Sequence, residues 1–499
     1  MTSTPASNAL QPLGEALPKS RTGIEGLDTI TGGGLPTGRA TLLCGGTGTG
    51  KTMLALEFLY RGIVAYGEKG VLMTFEESSA DIINNVKSLG FDLQALMDQR
   101  LLVMDFVAVN PEEVVVSGAY NLDALFIRLE QAIQAVGAQR VVLDTIESLF
   151  SGLPNATVLR AELRRLFRWL KERGVTTIVT GESGDHSLTR EGIEEYVSDC
   201  VINLTLTVEK RIASRSLRII KYRGSTHGSN DYPFLINEQG VSLIPITAAR
   251  LDAPASQERM SSGIVGLDAM LDGQGFYRGS SVLISGSSGT GKSTFMAAFA
   301  RAACERHEKV LYCSFEESPQ QIVRNMQSVG LDLAPYVERG QLHIESVRAL
   351  QQGLDLHLLM ILQAVKQWAP SVVIIDPITS LSDIATTYEV KRTLVMLVDQ
   401  LKHLQITLML GSLTSSSSLQ ESTSMSISSL IDSWIVLTDI GRHGERNRAL
   451  YIRKSRGMNH ANQLHEFTLS QQGVEIGALL DTHQGLLFKP PPWVALPTS

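Results

Sequence analysis

Continuous apolar runs alternate with amphipathic segments along most of the chain. Ala40-Thr41-Leu42-Leu43-Cys44, Val71-Leu72-Met73 and Val141-Val142-Leu143 lack the two-residue alternation of a half-exposed strand. Such runs predict strands covered on both faces. Between them lie stretches with helical spacing, such as Ala156–Arg173 and the segment starting at Met53. The pattern predicts βαβ units and an α/β fold, each lobe a doubly wound, mainly parallel sheet. A ligand would then sit at the carboxyl ends of the strands.

The pattern runs twice. Val71 to Ser78 (VLMTFEES) returns as Val310 to Ser318 (VLYCSFEES), with the Glu-Glu pairs 240 residues apart. Ser88-Leu89-Gly90-Phe91-Asp92-Leu93 returns as Ser328-Val329-Gly330-Leu331-Asp332-Leu333, again 240 residues on. Val141-Val142-Leu143-Asp144 matches Val373-Ile374-Ile375-Asp376 at a spacing of 232. The repeat predicts a flexible N-terminus (1–18), a first domain (19–246), a linker (247–260), a second domain (261–480) and a tail (481–499).

Each lobe carries one glycine-rich loop between a strand and a helix. Gly45 to Thr52 reads GGTGTGKT and Gly286 to Ser293 reads GSSGTGKS, with Lys292 placed 241 residues after Lys51. Both fit the phosphate-binding P-loop pattern. Gly45, Gly48, Thr49 and Gly50, like Gly286, Gly289, Thr290 and Gly291, let backbone N–H groups turn toward a phosphate at a helix N-terminus. Lys51 and Lys292 would reach the β- and γ-phosphates of ATP, and Thr52 and Ser293 would ligate Mg²⁺.

Other strand ends carry acids. Asp144 and Asp376 each close an apolar run, where an aspartate can hold Mg²⁺ through water. The plainer alternative is a helix cap, and the upstream P-loops favour the metal role. Glu76-Glu77 and Glu316-Glu317 end another strand, where one carboxylate of each pair could polarise water or a hydroxyl. Spacing does not choose between the two. Lys221 and Arg223, like Lys454 and Arg456, alternate along a late strand and so share a face. They suit the cover of a phosphate bound by a neighbouring subunit, or else a solvated strand face.

The lobes differ before the aspartates Asp199 and Asp432. The first has Glu195-Tyr196 where the second has Ser428-Ser429, preceded by the hydroxyl-rich tract Thr414 to Ser424. A serine or threonine tract is commonly a loop; beside an ATP site it also supplies phosphoryl acceptors.

Composition narrows the class. With 499 residues, 43% hydrophobic and 19% charged, the chain is ordinary globular protein of more than one domain. Its net charge of −7 argues against a broad nucleic-acid surface. Cys44, Cys200, Cys304 and Cys313 have no zinc-ligand spacing and read as reduced core thiols of a cytoplasmic protein. No basic-then-apolar leader or membrane-length apolar run is present in the sequence.

The doubled P-loop, Glu-Glu-Ser, Gly-x-x-Gly-Leu-Asp opening and Lys-x-Arg-Gly strand together resemble the circadian clock KaiC family over roughly residues 18–480. That resemblance implies two tandem RecA-like P-loop NTPase domains and a two-tier homohexamer with ATP and Mg²⁺ between subunits. It implies a slow ATPase in the first tier and a serine/threonine autokinase and autophosphatase in the second. It assigns Ser428 and Ser429 as phosphosites, Thr423 as a regulatory threonine, and Glu77 and Glu317, or their neighbours, as catalytic acids. The second phosphosite is serine here rather than threonine. The tail Leu487 to Trp493 departs from the one by which cyanobacterial relatives engage KaiA, which argues against KaiA dependence. Asn110–Asn121 resembles the region that meets KaiB and keeps a KaiB-like partner in view, beside other signalling proteins. Two other readings compete. A RecA/RadA-type DNA-dependent ATPase needs a basic face that the acidic balance opposes, and a degenerate ATP-bound scaffold needs losses that neither lobe shows.

Overall fold

The computed structural model describes residues 17–107, 122–150, 156–184, 198–209, 212–243, 245, 255–414, 427–442 and 445–479. Apart from Val208–Ala213, the chain divides into two compact units that change over between Thr247 and Ala248.

The first unit is built on β1 (Ala40–Gly45), α1 (Lys51–Tyr66), β2 (Gly70–Thr74), α2 (Ser79–Lys87), β3 (Leu102–Phe106), α3 (Asp123–Val136), β4 (Arg140–Asp144), α4 (Ala156–Glu172) and β5 (Thr176–Glu182). The strands β6 (Cys200–Glu209), β7 (Ile212–Tyr222), β8 (Tyr232–Asn237) and β9 (Gly240–Leu243) follow. They form a nine-stranded sheet in the order β9-β8-β7-β6-β1-β5-β4-β2-β3. Pairing from β3 through β6 is parallel, and the β7–β8–β9 extension is antiparallel.

The continuous apolar runs are the central strands, and their reason is visible in the packing. Successive side chains point to opposite faces. Leu72 and Val142 join Leu54, Phe58 and Leu59 of α1 on one side. Their neighbours Val71, Met73, Val141 and Leu143 join Leu125 and Leu129 of α3 and Leu163 and Leu166 of α4 on the other.

The second unit repeats this plan with β10 (Ser281–Gly286), α5 (Lys292–Glu305), β11 (Val310–Ser314), α6 (Pro319–Gln327), β12 (Leu342–Ser346), α7 (Leu354–Trp368), β13 (Val372–Asp376), α8 (Thr387–His403) and β14 (Thr407–Leu413). The strands β15 (Ser433–Arg442), β16 (Glu445–Ser455), β17 (His465–Ser470) and β18 (Gly473–Leu479) complete it. Its nine-stranded order, β12-β11-β13-β14-β10-β15-β16-β17-β18, is that of the first sheet. Two RecA-like α/β sheets, doubly wound and mainly parallel, are therefore present.

One boundary differs from the sequence expectation. Arg259 and Met260, expected in the linker, pair antiparallel with Tyr277 and Phe276. Met260 is buried in the second core, and the Arg259 guanidinium donates to the carbonyls of Leu271 and Gly275. Those contacts draw the last linker residues into the domain. The expected N-terminal segment up to residue 16, linker residues 247–254 and the tail lie outside the described residues.

Candidate active sites

Both P-loops sit at the carboxyl end of a central strand, β1 or β10, and open directly into α1 or α5. Gly50 and Gly291 cap those helices at φ 102°, a left-handed conformation that a side chain would strain. Crowding reinforces the demand: a Cβ on Gly50 would lie 2.6 Å from Ile236 Cδ1. Thr49 and Thr290 close their loops through hydroxyl bonds to Gly46 O and Ser287 O, both 2.8 Å.

Lys51 and Lys292 fold back over their loops. Lys51 Nζ donates to Gly45 O at 2.7 Å and Gly46 O at 3.1 Å. Lys292 Nζ donates to Gly286 O at 3.0 Å and Ser287 O at 2.8 Å. Burial pushes the Lys292 ammonium pKa down, against the nearby negative charge of Asp376, Glu316 and Asp439.

Parallel pairing brings the distant acids to the loops. Thr52 Oγ1 donates to Asp144 Oδ2 at 2.9 Å, and Ser293 Oγ to Asp376 Oδ2 at 2.6 Å. Each aspartate faces the P-loop hydroxyl of its own unit. Burial pushes both carboxyls above the usual aspartate range, opposed by hydrogen bonds from Thr180 and Thr52 to Asp144 and from Ser293 and Tyr312 to Asp376. A buried carboxylate beside a hydroxyl and a lysine fits a divalent cation and a phosphate, since both restore the charge balance that burial disturbs.

The Glu-Glu pairs lie just past β2 and β11, tied to the neighbouring strand end by Phe75 N–H to Asp144 O and Phe315 N–H to Asp376 O, both 2.9 Å. The structure separates the two members of each pair. Glu76 Oε1 accepts from Thr145 Oγ1 and Ser148 Oγ, both 2.7 Å. Glu316 Oε1 accepts from Ser380 Oγ at 3.2 Å, again on the segment after the strand-end aspartate. Glu77 and Glu317 turn the other way, accepting from Asn85 at 3.3 Å and Asn325 at 2.9 Å on α2 and α6. The serine of each Glu-Glu-Ser caps that helix, accepting from Asp81 N–H or Gln321 N–H. Sequence reading missed the two asparagines. Their signal was present, because each follows its glutamate by eight residues in both halves.

In the second unit these groups line one cleft of about 350 Å³, with Lys292, Ser293, Tyr312, Glu316, Glu317 and Asp376 on its walls.

The Lys-x-Arg pairs are not brought to the P-loops of their own units. β10 and β15 run parallel with Val282 opposite Ser433 and Gly286 opposite Leu437. Asp432 and the turn before it therefore sit at the start of β10, about 13 Å of strand from the loop. Lys454 Nζ donates to Ser428 O at 2.8 Å and Ile431 O at 2.7 Å, and Arg456 donates to Ser429 O at 3.0 Å. Asp432 anchors this turn by accepting from Ser281 N–H at 2.9 Å and pairing with Lys402 at 2.7 Å. Ser428 and Ser429 are exposed. In the first unit Arg223 N–H donates to Asp199 O at 2.9 Å, again at the strand end away from the P-loop. Lys221 lies at the end of β7, one residue before its last. Glu195, Tyr196, Ser415–Ser424 and Asn110–Asn121 lie outside the described residues.

All four cysteines are buried and free. Among the described residues no helix is long and apolar enough to cross a membrane.

The KaiC ATPase family profile matches residues 20–248 and again 260–481. The circadian clock protein KaiC2 of Synechocystis sp. is 50% identical over 463 residues, covering 92% of this chain and 82% of that protein. The circadian clock oscillator protein KaiC of Parathermosynechococcus lividus is 38% identical over 466 residues, 92% of this chain and 85% of the relative. That of Synechococcus elongatus is 36% identical over 469 residues, 93% and 89%. These matches favour the KaiC reading and give no support to a RecA/RadA-type DNA-dependent ATPase. With both P-loops intact and the family profile matched twice, the chain belongs to the KaiC family of circadian clock ATPases.

Proposed function

We infer that the first unit hydrolyses ATP and that the second transfers phosphate from ATP to Ser428 and Ser429 and later removes it. The cycle would serve as a phosphorylation-based timing or signalling switch. The observation that carries the kinase reading is the exposed turn Ser428–Ser429, held by Lys454 and Arg456 at the sheet end remote from its own P-loop. Such an acceptor suits ATP bound by a neighbouring subunit, because the same chain cannot fold it onto its own nucleotide. Incubating the protein with γ-³²P-ATP, with and without DNA, tests the inference. Label on the protein without DNA is expected, and turnover that requires DNA would overturn it.

The chemistry follows from the placement. Thr52 with Asp144, and Ser293 with Asp376, would hold Mg²⁺, which supplies positive charge beside the β- and γ-phosphates when bound. In the first unit Glu76 orients a water against the γ-phosphorus. In the second, Glu316 takes the proton of the incoming serine hydroxyl while its oxygen attacks the γ-phosphorus and ADP leaves. Lys51 or Lys292 neutralises charge gathering on the transferred group. Lys454 and Arg456 arrive with the turn they clamp and complete the cover.

Two consequences are testable directly. If ATP at the first unit helps close a homohexamer, Lys51→Ala should lower the assembled fraction at low ATP severalfold, read by light scattering; a fully hexameric mutant would count against it. The departure of the tail from the KaiA-binding pattern predicts that purified protein with ATP and Mg²⁺ becomes phosphorylated unaided. Phosphoprotein that forms only after KaiA is added would reverse that reading. A KaiB-like partner and a cytoplasmic location belong to the same proposal.

A further inference from the structure

The two strand-end aspartates are held by hydroxyls from different strands. In the first unit the Thr180 hydroxyl, on β5, donates to Asp144 Oδ1, while Thr52 takes Oδ2. The matching position on β14 is Gly411, where a Cβ would lie 2.5 Å from Asp376 Oδ1. Register fixes the match: Leu143 faces Val179 as Ile375 faces Leu410. The second unit draws its hydroxyl from the other side. Tyr312 on β11 donates to Asp376 Oδ2 at 3.0 Å, where the first unit has the apolar Leu72 on β2. Tyr312 is 1% exposed and yet lines the cleft with Lys292, Ser293, Glu316 and Glu317. A buried phenol in an apolar strand needs an acceptor, and Asp376 is the one it finds.

We propose that Tyr312 is a positioning residue for the metal-holding carboxylate of the second site alone, and that Thr180 fills this place in the first. The proposal rests on reading Asp376 and Asp144 as the acids that hold the cation. Two donors on one oxygen fix the Asp376 carboxylate toward Ser293 and leave Oδ1 facing Gly411. At Asp144 the donors are split between both oxygens. The sites thus present different carboxylate geometries to the same cation. Outer partners of this kind commonly change metal affinity by about 10- to 100-fold when removed.

The test is Mn²⁺ binding, followed by electron paramagnetic resonance, to full-length protein carrying a non-hydrolysable ATP analogue. Lys51→Ala isolates the second site and Lys292→Ala the first. Tyr312→Phe, which removes only the hydroxyl, should weaken Mn²⁺ about tenfold or more at the second site and leave the first unchanged. Thr180→Val should do the reverse. Asp376→Asn separates the two levels of the argument. If it weakens Mn²⁺ while Tyr312→Phe does not, the role of Tyr312 is overturned and Asp376 stands. If Asp376→Asn has no effect, both fall. Equal weakening at the two sites by Tyr312→Phe would show a general loosening and also overturn the proposal.

Discussion

Lys292→Ala chains incubated alone with labelled ATP should take up at least about 100-fold less phosphate at Ser428 and Ser429 than the parent chain. Assembled together with chains carrying Ser428→Ala and Ser429→Ala, they should regain it. The first part follows from the buried ammonium lining the cleft, placed to meet charge that grows during transfer. The second follows from topology. Ser428 and Ser429 precede β15 at the end where Val282 begins its pairing, whereas Lys292 follows β10 at the other end. About 13 Å of rigid parallel strand separates those levels, far more than in-line transfer tolerates. A chain without a working second P-loop can therefore still be phosphorylated by its neighbour. Phosphopeptide mass spectrometry on distinguishable chains reads the result, with light scattering to show that mixed assemblies form. Label on Lys292→Ala chains alone, or none after mixing in intact mixed assemblies, would sink the scheme.

Glu316→Gln should slow phosphate transfer by at least about 100-fold, and Glu317→Gln by less than about 10-fold, although the two are adjacent in sequence. Glu316 reaches Ser380 beyond the strand-end aspartate, and its charge is felt by both Asp376 and Lys292. Glu317 is committed elsewhere: Asn325 donates to its carboxylate at 2.9 Å, and its own N–H donates to Ser314 Oγ at 3.0 Å. A carboxylate near the metal acid and the phosphate-binding lysine is placed to accept a proton from the attacking hydroxyl. One held by a helix asparagine shapes the turn instead. The first unit carries the same division, so Glu76→Gln should slow ATP hydrolysis far more than Glu77→Gln. Single-turnover rates with saturating ATP measure both pairs. Equal losses within a pair, or a larger loss at Glu77 or Glu317, would reverse the assignment.

The repeated α/β architecture and the identity of the nucleotide loops were legible along the chain. Both are local: a strand buried on two faces must be continuously apolar, and a phosphate cradle needs its glycines, lysine and hydroxyl within eight residues of chain. The strand-end aspartates were legible for the same reason, each closing an apolar run. The contacts that had to await the folded chain join groups brought together across the sheet. Spacing left Glu76 and Glu77 equivalent; the crossing of β4 beside β2 put Thr145 and Ser148 against one of them and α2 against the other. Lys454 and Arg456 read as the cover of a neighbouring subunit's phosphate or else a solvated strand face, and only the antiparallel return of β16 along β15 showed that they clamp the turn carrying Ser428 and Ser429. Arg259 and Met260 looked like linker because two residues carry no periodicity, and a buried Met260 side chain decided otherwise. Tyr312 sat in plain view within an apolar run. Its meaning depended on a glycine 99 residues later, Gly411, which supplies no hydroxyl where the first unit has Thr180. Pattern along the chain records what each element must bury; which hydroxyl meets which carboxylate is fixed only when the strands are laid side by side.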